Sequence, residues 1–325
     1  MSAPVRFAPG RRRILVGAAG LAGLGGLAAF RAAAASRGLT LRTRAGLAFG
    51  TTVALTAAAP DPSAIEAALT DGFAAMRAVE ASASLFRADS ALARLNRAGS
   101  LEDPDPHLRT LLRFALALAA ETDGAFDPTV QPLWPVWAGA AARGARPGDD
   151  VLRATLVRIG WRRVQVGPDR IVLEPGTALT LNALIQGYAA DQVMAALRAR
   201  GIDDAFVDTG EFGAAGAHPD GTPWRLGLAD PRRPAEIAAV IVPFTGFAAT
   251  SGDYNMSFSD DRADHHIFDP ATGRSPRALS SVTVTAPRGL LADGLSTACM
   301  VLGRARGAAL VSAHPGCTAR FTDKG

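Results

Sequence analysis

The sequence predicts an α+β fold, with mixed strands and helices forming one compact unit from residue 38 to residue 325 behind a different N-terminal segment at 1–37. Three observations lead there. Apolar residues recur with helical period over 63–81 and 107–121, whereas SSVTVTAPRG at 280–289 alternates as a strand does. The two kinds of segment do not follow one another in the regular strand–helix–strand order of a parallel sheet. The one glycine-rich run, GLAGLGG at 20–26, has no strand before it and so lacks the context of a dinucleotide-binding turn. With 325 residues, 48% of them apolar, the chain has ample material for a core.

Taken in order, AGLAFGTTVALTAA at 45–58 reads as a first strand broken at Gly50 and ended by Pro60 and Pro62. Ile65, Leu69, Phe73 and Met76 share one face of a helix over 63–81. Asp89-Ser90 supplies a cap for a short helix, and 107–121 forms another apolar helix. TDGAFDPTVQPLWPVW reads as a loop crowded with Gly, Pro and Trp, and 140–150 as an exposed insertion. RRVQVGPDRIVLEPGTALTL reads as a hairpin followed by a third strand. LIQGYAADQVMAALRARG is an amphipathic helix ending at Gly201. Strands and turns follow through AFVDTGEFGAAG, WRLGLADP and AAVIVPFTGFAATSG. After the alternating strand, LLADGLSTACMVLG forms the last helix, which Gly303 closes.

The pI near 9.8 suggests a nucleic-acid partner, but the distribution of charge argues against one. Six arginines and no acid lie within residues 1–37, so without that segment the formal charge of +4 becomes −2. The remainder carries no basic stripe with interleaved aromatics. The segment itself has the order of an export signal. GRRRILV at 10–16 resembles the twin-arginine consensus through Arg11-Arg12, a weakly apolar glycine-rich run follows, and Ala33-x-Ala35 suits a signal peptidase. An uncleaved membrane anchor is the competing reading, and the short glycine-rich run disfavours it. The expected location is the periplasm. That compartment permits a disulfide between Cys299 and Cys317, although Cys299 sits in an apolar helical run where a cysteine ordinarily acts as a small buried hydrophobe.

Two patterns carry chemistry. Residues 265–276 read HHIFDPATGRSP and place two of the chain's five histidines at the lip of a turn built on Asp269-Pro270 and Thr272-Gly273. Asp293 and Thr297 are four apart on the last helix and therefore share a face, a carboxylate and a hydroxyl of the hard-oxygen type that Mg²⁺ takes together with phosphate oxygens. Each has a purely structural alternative. The first is an ordinary turn, and the second a carboxylate in the first helical turn beside a threonine bonded back to its own helix.

The blocks AFGTTV, SLFRADSALARLN, TDGAFDPTVQPLWPVW, LIQGYAADQV, VDTGEFGAAG, ATSGDY, HHIFDPATGRSP and ADGLSTACMVLG occur in that order. The series resembles the ApbE family of FAD:protein FMN transferases from about residue 45 to the end. The resemblance implies FAD as substrate, Mg²⁺ at its pyrophosphate, and transfer of FMN to a Ser or Thr hydroxyl of an acceptor flavoprotein with release of AMP. It implies metal ligation by Asp293, Thr297 and the backbone oxygen of Ala183, and places His266 where a base for the attacking hydroxyl stands, with His265 as solvated surface. For FAD contact it implies Phe49, Phe86, Ala125, Phe126, Asp127, Thr180, Gln186 and Ile267. Ser251 and Asp253 match the motif without an assigned role.

The sequence departs from the family pattern at three places. Thr180 stands for an Asp, Gln186 for a Lys, and Thr209-Gly210-Glu211 for Gly-Gly-Asp. TLNALIQGY resembles the NosX-like exported branch, which implies an acceptor in the periplasm or membrane connected with nitrous-oxide reduction. Two other readings share the site: a Mg²⁺-dependent FAD pyrophosphatase, and a non-catalytic FAD-binding accessory protein, which the neutral Thr180 and Gln186 favour.

Overall fold

Ala48-Phe49-Gly50-Thr51 folds the first strand back on itself. In the computed structural model, which describes residues 38–324, β1 (Thr40–Ala48) and β2 (Thr51–Ala59) pair antiparallel with Ala48 opposite Thr51. Phe49 and Gly50 alone make the turn, at φ 54° and 74°, the positive values that a two-residue type I′ hairpin demands at both positions. The single strand broken at Gly50 is therefore corrected to a hairpin. The export signal expected at 1–37 lies outside the described residues.

α1 (Pro62–Ala83) starts where Asp61 accepts the Ser63 N–H at 2.8 Å, and α2 (Ala91–Ala98) where Ser90 Oγ accepts from the Ala93 N–H at 3.0 Å. β3 (Ser100–Glu102) and α3 (Pro106–Glu121) follow. The stretch read as a Gly/Pro/Trp loop contains a helix, α4 (Leu133–Ala141). Its apolar face, Leu133 and Trp137, packs on Leu152 of α5 (Asp149–Leu156) and on Phe268. β4 (Val164–Val166) and β5 (Arg170–Leu173) form the expected hairpin, but their third partner is β3, whereas residues 176–181 are irregular. α6 (Ile185–Ala199) ends ahead of Gly201, whose φ of 75° ends the helical run.

β6 (Asp204–Asp208), β7 (Phe212–Ala215), β8 (Leu226–Ala229), β9 (Ile237–Ile241), β10 (Gly246–Gly252) and β11 (Leu279–Ala286) precede the last helix, α7 (Gly289–Ser312), and β12 (Thr318–Asp323). Gly303 interrupts α7 with φ 76° and ψ 176°, but helical residues resume beyond it, so it kinks the helix rather than closing it. Cys299 and Cys317 are both free thiols. Cys299 is buried, which pushes its thiol up to about 12.

The main sheet is antiparallel throughout, in the order β1-β2-β6-β7-β10-β11-β12. Period-2 alternation sorts its side chains. Ala205, Val207, Phe247 and Ala249 face the helical layer, while Phe206, Ala214 and Ala248 face a smaller cluster closed by Trp224, Leu226 and Phe244 beside the β8–β9 hairpin. α1, α6 and α7 make the helical layer. Among the described residues no helix is long and apolar enough to cross a membrane.

α6 and α7 cross glycine to glycine. A Cβ on Gly187 would meet the Gly289 carbonyl oxygen at 2.2 Å, so only glycine permits this approach. Asp191 of α6 caps α7 from outside, accepting the Gly289 and Leu290 N–H groups at 2.6 and 3.0 Å. The crossing brings the start of α6, the first turns of α7 and the end of β10 to one place.

Candidate active site

Asp293 is buried in the second turn of α7, and its Oδ2 accepts the Gly187 N–H at 3.0 Å. Thr297, one turn on, shares a hydrogen bond with Ser251 Oγ at 2.8 Å, and Ser251 Oγ also lies 2.8 Å from Ser296 Oγ. The carboxylate and the hydroxyl are thus oriented from outside their own helix, by α6 and by β10. The threonine bonded back to its own helix, as the structural alternative supposed, does not describe Thr297 here. The loop carrying Ala183 leads directly into α6, four residues before Gly187.

That loop is braced by the segment GAFDPT. Thr180 donates its N–H to Pro128 O at 2.8 Å. Asp127 accepts from the Thr129 N–H and Oγ–H at 2.8 and 2.6 Å through Oδ1, and from the Trp161 N–H at 2.8 Å through Oδ2. Burial pushes the Asp127 carboxyl up, against the pull of these donors. Phe126 is buried in the main core and Ala125 is half-buried. In this structure Asp127 and Phe126 hold the loop together.

Two of the departures from the family pattern touch each other. Thr209 donates its hydroxyl to Gln186 O at 2.8 Å, and the Gln186 side chain lies over Gly210, where a Cβ would be 2.0 Å from Nε2. Gly210 has φ 97°, so the backbone favours glycine there, while the crowding comes from the flexible end of Gln186, which could move aside. Glu211 is buried and accepts the Thr250 N–H at 3.0 Å.

Phe49, Phe86 and Gln186 line one pocket, together with Ser84, Asn182 and Ile185. The Phe49 backbone is held at the hairpin tip by Glu80, which accepts its N–H at 2.7 Å. Phe86 is 69% exposed, a large apolar ring left at the pocket mouth, where a planar ligand would cover it. Another hollow, lined by Arg44, Leu47, Phe73 and Arg77, contains none of the expected site residues.

The histidine pair divides in the opposite sense to the surface role expected for His265. His265 is buried at 0% exposure, with Nε2 3.0 Å from Pro276 O and Nδ1 3.4 Å from the Ile267 N–H. Nε2–H donates to the carbonyl and Nδ1 accepts, so the ring is neutral, and burial lowers its pKa from 6.5 to about 4. The reason is topological: the Asp269–Arg274 turn folds back and Ser275 exchanges hydrogen bonds with the His265 backbone at 2.8 and 2.6 Å. Trp137 donates Nε1–H to Gly273 O at 2.8 Å and stacks on Phe258 and Phe268, seating this turn on α4. His266 is half-buried. Its N–H and Nδ1 both lie on Met256 O, at 3.1 and 3.0 Å. A carbonyl only accepts, so Nδ1 carries a proton, and in the neutral ring Nε2 is the atom with the lone pair. Ile267 is buried in the main core.

Sequence reasoning assigned no role to Ser251 or Asp253 and missed Ser296, Arg232, Asp264 and Lys324. Asp253 is fully buried and ion-paired to Arg232 and Lys324. The ATSGDY motif contained the signal for the first two. Arg232, Asp264 and Lys324 carry none, because their partners are remote in the chain. Among the described residues no group of three or more His, Cys, Asp and Glu could hold a metal ion. Any cation here would have to be taken by a mixed set of carboxylate, hydroxyl and carbonyl oxygens.

The ApbE family model matches residues 49–321. A protein of Treponema pallidum named FAD:protein FMN transferase is 34% identical over 302 residues, covering 86% of this chain and 83% of its own. One of the same name from Vibrio cholerae is 34% identical, covering 71% and 72%. Among solved structures, the apo form of the flavinyl transferase ApbE of Pseudomonas stutzeri superimposes with TM-score 0.75 at 31% identity, covering 87% of this chain and 91% of that one. The ApbE protein of Thermotoga maritima superimposes with TM-score 0.76 at 28% identity, covering 88% and 95%.

Proposed function

The chain belongs to the ApbE family, and from that premise we propose that it transfers the FMN half of FAD to a Ser or Thr hydroxyl of an acceptor flavoprotein, releasing AMP. The observation that carries the reading is the arrangement of Asp293 and Thr297 on one face of α7, the first held by the Gly187 N–H and the second by Ser251.

The donor set fits a hard divalent cation. A buried carboxylate, a hydroxyl one turn along and the Ala183 carbonyl are all oxygen ligands, and three of them leave positions for phosphate oxygens and water. Asp293, Thr297 and Ala183 O would hold Mg²⁺, which when bound supplies neutralising charge at the diphosphate. Phe49 and Phe86 offer their rings to the planar part of the substrate, and the family resemblance adds Ile267, beside His266, as an apolar contact. Gln186 lines the pocket of Phe49 and Phe86 without charge, and Thr180 is likewise neutral in the loop ahead of α6.

His266 acts as the base. Nδ1–H donates its hydrogen bond to Met256 O and keeps its proton, so Nε2 is the atom that receives the proton of the acceptor hydroxyl. That oxygen forms a bond to the phosphorus on the FMN side, the bond from this phosphorus to the bridging oxygen breaks, and AMP departs with the bridging oxygen. Little else is asked of the protein beyond alignment and charge.

The Arg11-Arg12 motif supports export by the twin-arginine route, with the acceptor in the periplasm or at its membrane face. TLNALIQGY supports a NosX-like role, with an electron-transfer flavoprotein of nitrous-oxide reduction as acceptor. The test incubates the protein with FAD, Mg²⁺ and a periplasmic flavoprotein domain and weighs the acceptor by mass spectrometry. One added FMN that requires Mg²⁺ is the expected result. AMP and free FMN with no acceptor adduct would make the protein a pyrophosphatase, and bound FAD without turnover an accessory protein.

A further inference from the structure

We propose that Lys324 is a positioning residue for His266, closing the neck of the 253–264 segment by gripping Asp253 and Arg262 at once. The sequence holds 34 basic residues and Lys324 is its one lysine. Its side chain is only 13% exposed, and its Nζ donates to Asp253 Oδ2 at 3.0 Å and to the Arg262 carbonyl at 2.5 Å. Its backbone is pinned as well, with the Lys324 N–H donating to Ala278 O at 3.1 Å directly after β12.

Both ends of the segment are tied down. At the entry, the fully buried Asp253 also accepts a two-pronged bond from Arg232, at 2.8 and 3.0 Å. Its own N–H donates to Ser280 O at 3.0 Å. At the exit, Arg262 donates to Pro231 O at 2.8 Å, and the buried Asp264 accepts from Arg146 and Arg277 at 2.5 and 3.3 Å. Between the two ends lies Met256, whose carbonyl receives both the N–H and the Nδ1–H of His266.

The chemistry suits a lysine. A compact ammonium directs three N–H bonds tetrahedrally and so serves a carboxylate and a carbonyl together, whereas the planar guanidinium of Arg232 already occupies the two-pronged position on Asp253. A buried carboxylate held by two cations is a strong local constraint, because removing one partner leaves an imperfectly compensated charge in a site closed to water. Without the ammonium, the neck of the segment opens, Met256 O loses its fixed position, and the His266 ring loses the partner that sets its tautomer.

This inference rests on His266 acting as the base in FMN transfer, and the experiment separates the two claims. Full-length wild type, Lys324→Met, His266→Ala and the double variant are compared in FMN transfer, and hydrogen exchange is followed in the first two. Lys324→Met is expected to lower kcat about 10-fold, the scale of a modest misplacement at a reacting group, with KM for FAD within about two-fold. In the His266→Ala background it should cause no further loss. Amides of 254–264 should exchange faster while protection elsewhere is retained, which also shows that the variant is folded. An unchanged kcat, a loss confined to KM, or a full additional loss on top of His266→Ala would overturn the proposal. If wild type transfers no FMN, the transfer reading fails, and unchanged exchange over 254–264 in Lys324→Met would then overturn the clamp by itself.

Discussion

The Gly187 N–H donates to Asp293 Oδ2 at 3.0 Å, so the carboxylate on one helix is aimed by the backbone of another. The contact exists because Gly187 and Gly289 let the helices approach until a Cβ on Gly187 would overlap the Gly289 carbonyl. Gly187→Ala should therefore force the crossing open, with about 1–3 kcal/mol lost from overpacking and Mg²⁺ affinity falling because Asp293 shifts. Urea denaturation and Mg²⁺ titration in the presence of FAD check the two effects. A variant with wild-type stability and wild-type Mg²⁺ affinity would refute the steric argument.

Asp293→Asn keeps the shape and the acceptor for the Gly187 N–H but removes the charge. Mg²⁺-dependent transfer should fall by at least ~100-fold while the urea midpoint changes little. Ser251→Ala should act more weakly, about 10-fold on Mg²⁺ affinity, since in the proposed ligand set Ser251 orients Thr297 and does not itself bind the cation. Equal losses in both variants would place Ser251 in direct contact with the cation.

His266→Ala should lower kcat by ~100-fold or more and leave the KM for FAD near its wild-type value, the signature of a group that acts on the reacting hydroxyl rather than on the bound dinucleotide. Loss of FAD affinity with turnover preserved would demote it to a binding residue.

His265 makes the structure sensitive to acid. Its imidazole has a pKa of about 4 in the fold against 6.5 ordinarily, so as pH falls the unfolded chain binds the proton first. Its contribution is whole above 6.5, declines below that, and levels off below about 4, by up to about 3 kcal/mol. His265→Gln, whose amide can still donate to Pro276 O, should flatten the pH dependence of the urea midpoint across this window. The same slope in both proteins would show that His265 does not titrate between the two states.

Much of the fold was legible because it is written in short-range chemistry. Asp61 and Ser90 cap helices two and three residues away, and the helical periods of α1, α3 and α6 need only one turn of sequence to be seen. The errors have physical causes. Gly50 alone reads as a break because a phenylalanine at positive φ, as at Phe49, is not an expected turn residue. LWPVW reads as loop because Pro135, with Pro132 just ahead of it, obscures a helix whose stability comes from packing on Phe268 and Leu152. Residues 176–181 alternate like a strand, but β3 occupies the position they would take beside β5.

The sequence by itself determined the family, the turn at Asp269–Gly273, and the pairing of Asp293 with Thr297 on one helical face, because each is a matter of residue type at fixed short spacing. Tertiary structure alone decided which of two adjacent histidines is buried, that Thr297 answers to Ser251 46 residues away, that Asp293 answers to Gly187 across 106, and that Lys324 reaches Asp253. Hydrogen bonds and ion pairs act over about 3 Å whatever the distance along the chain. Which groups come within that reach is decided by the packing of helices on the sheet, not by sequence spacing.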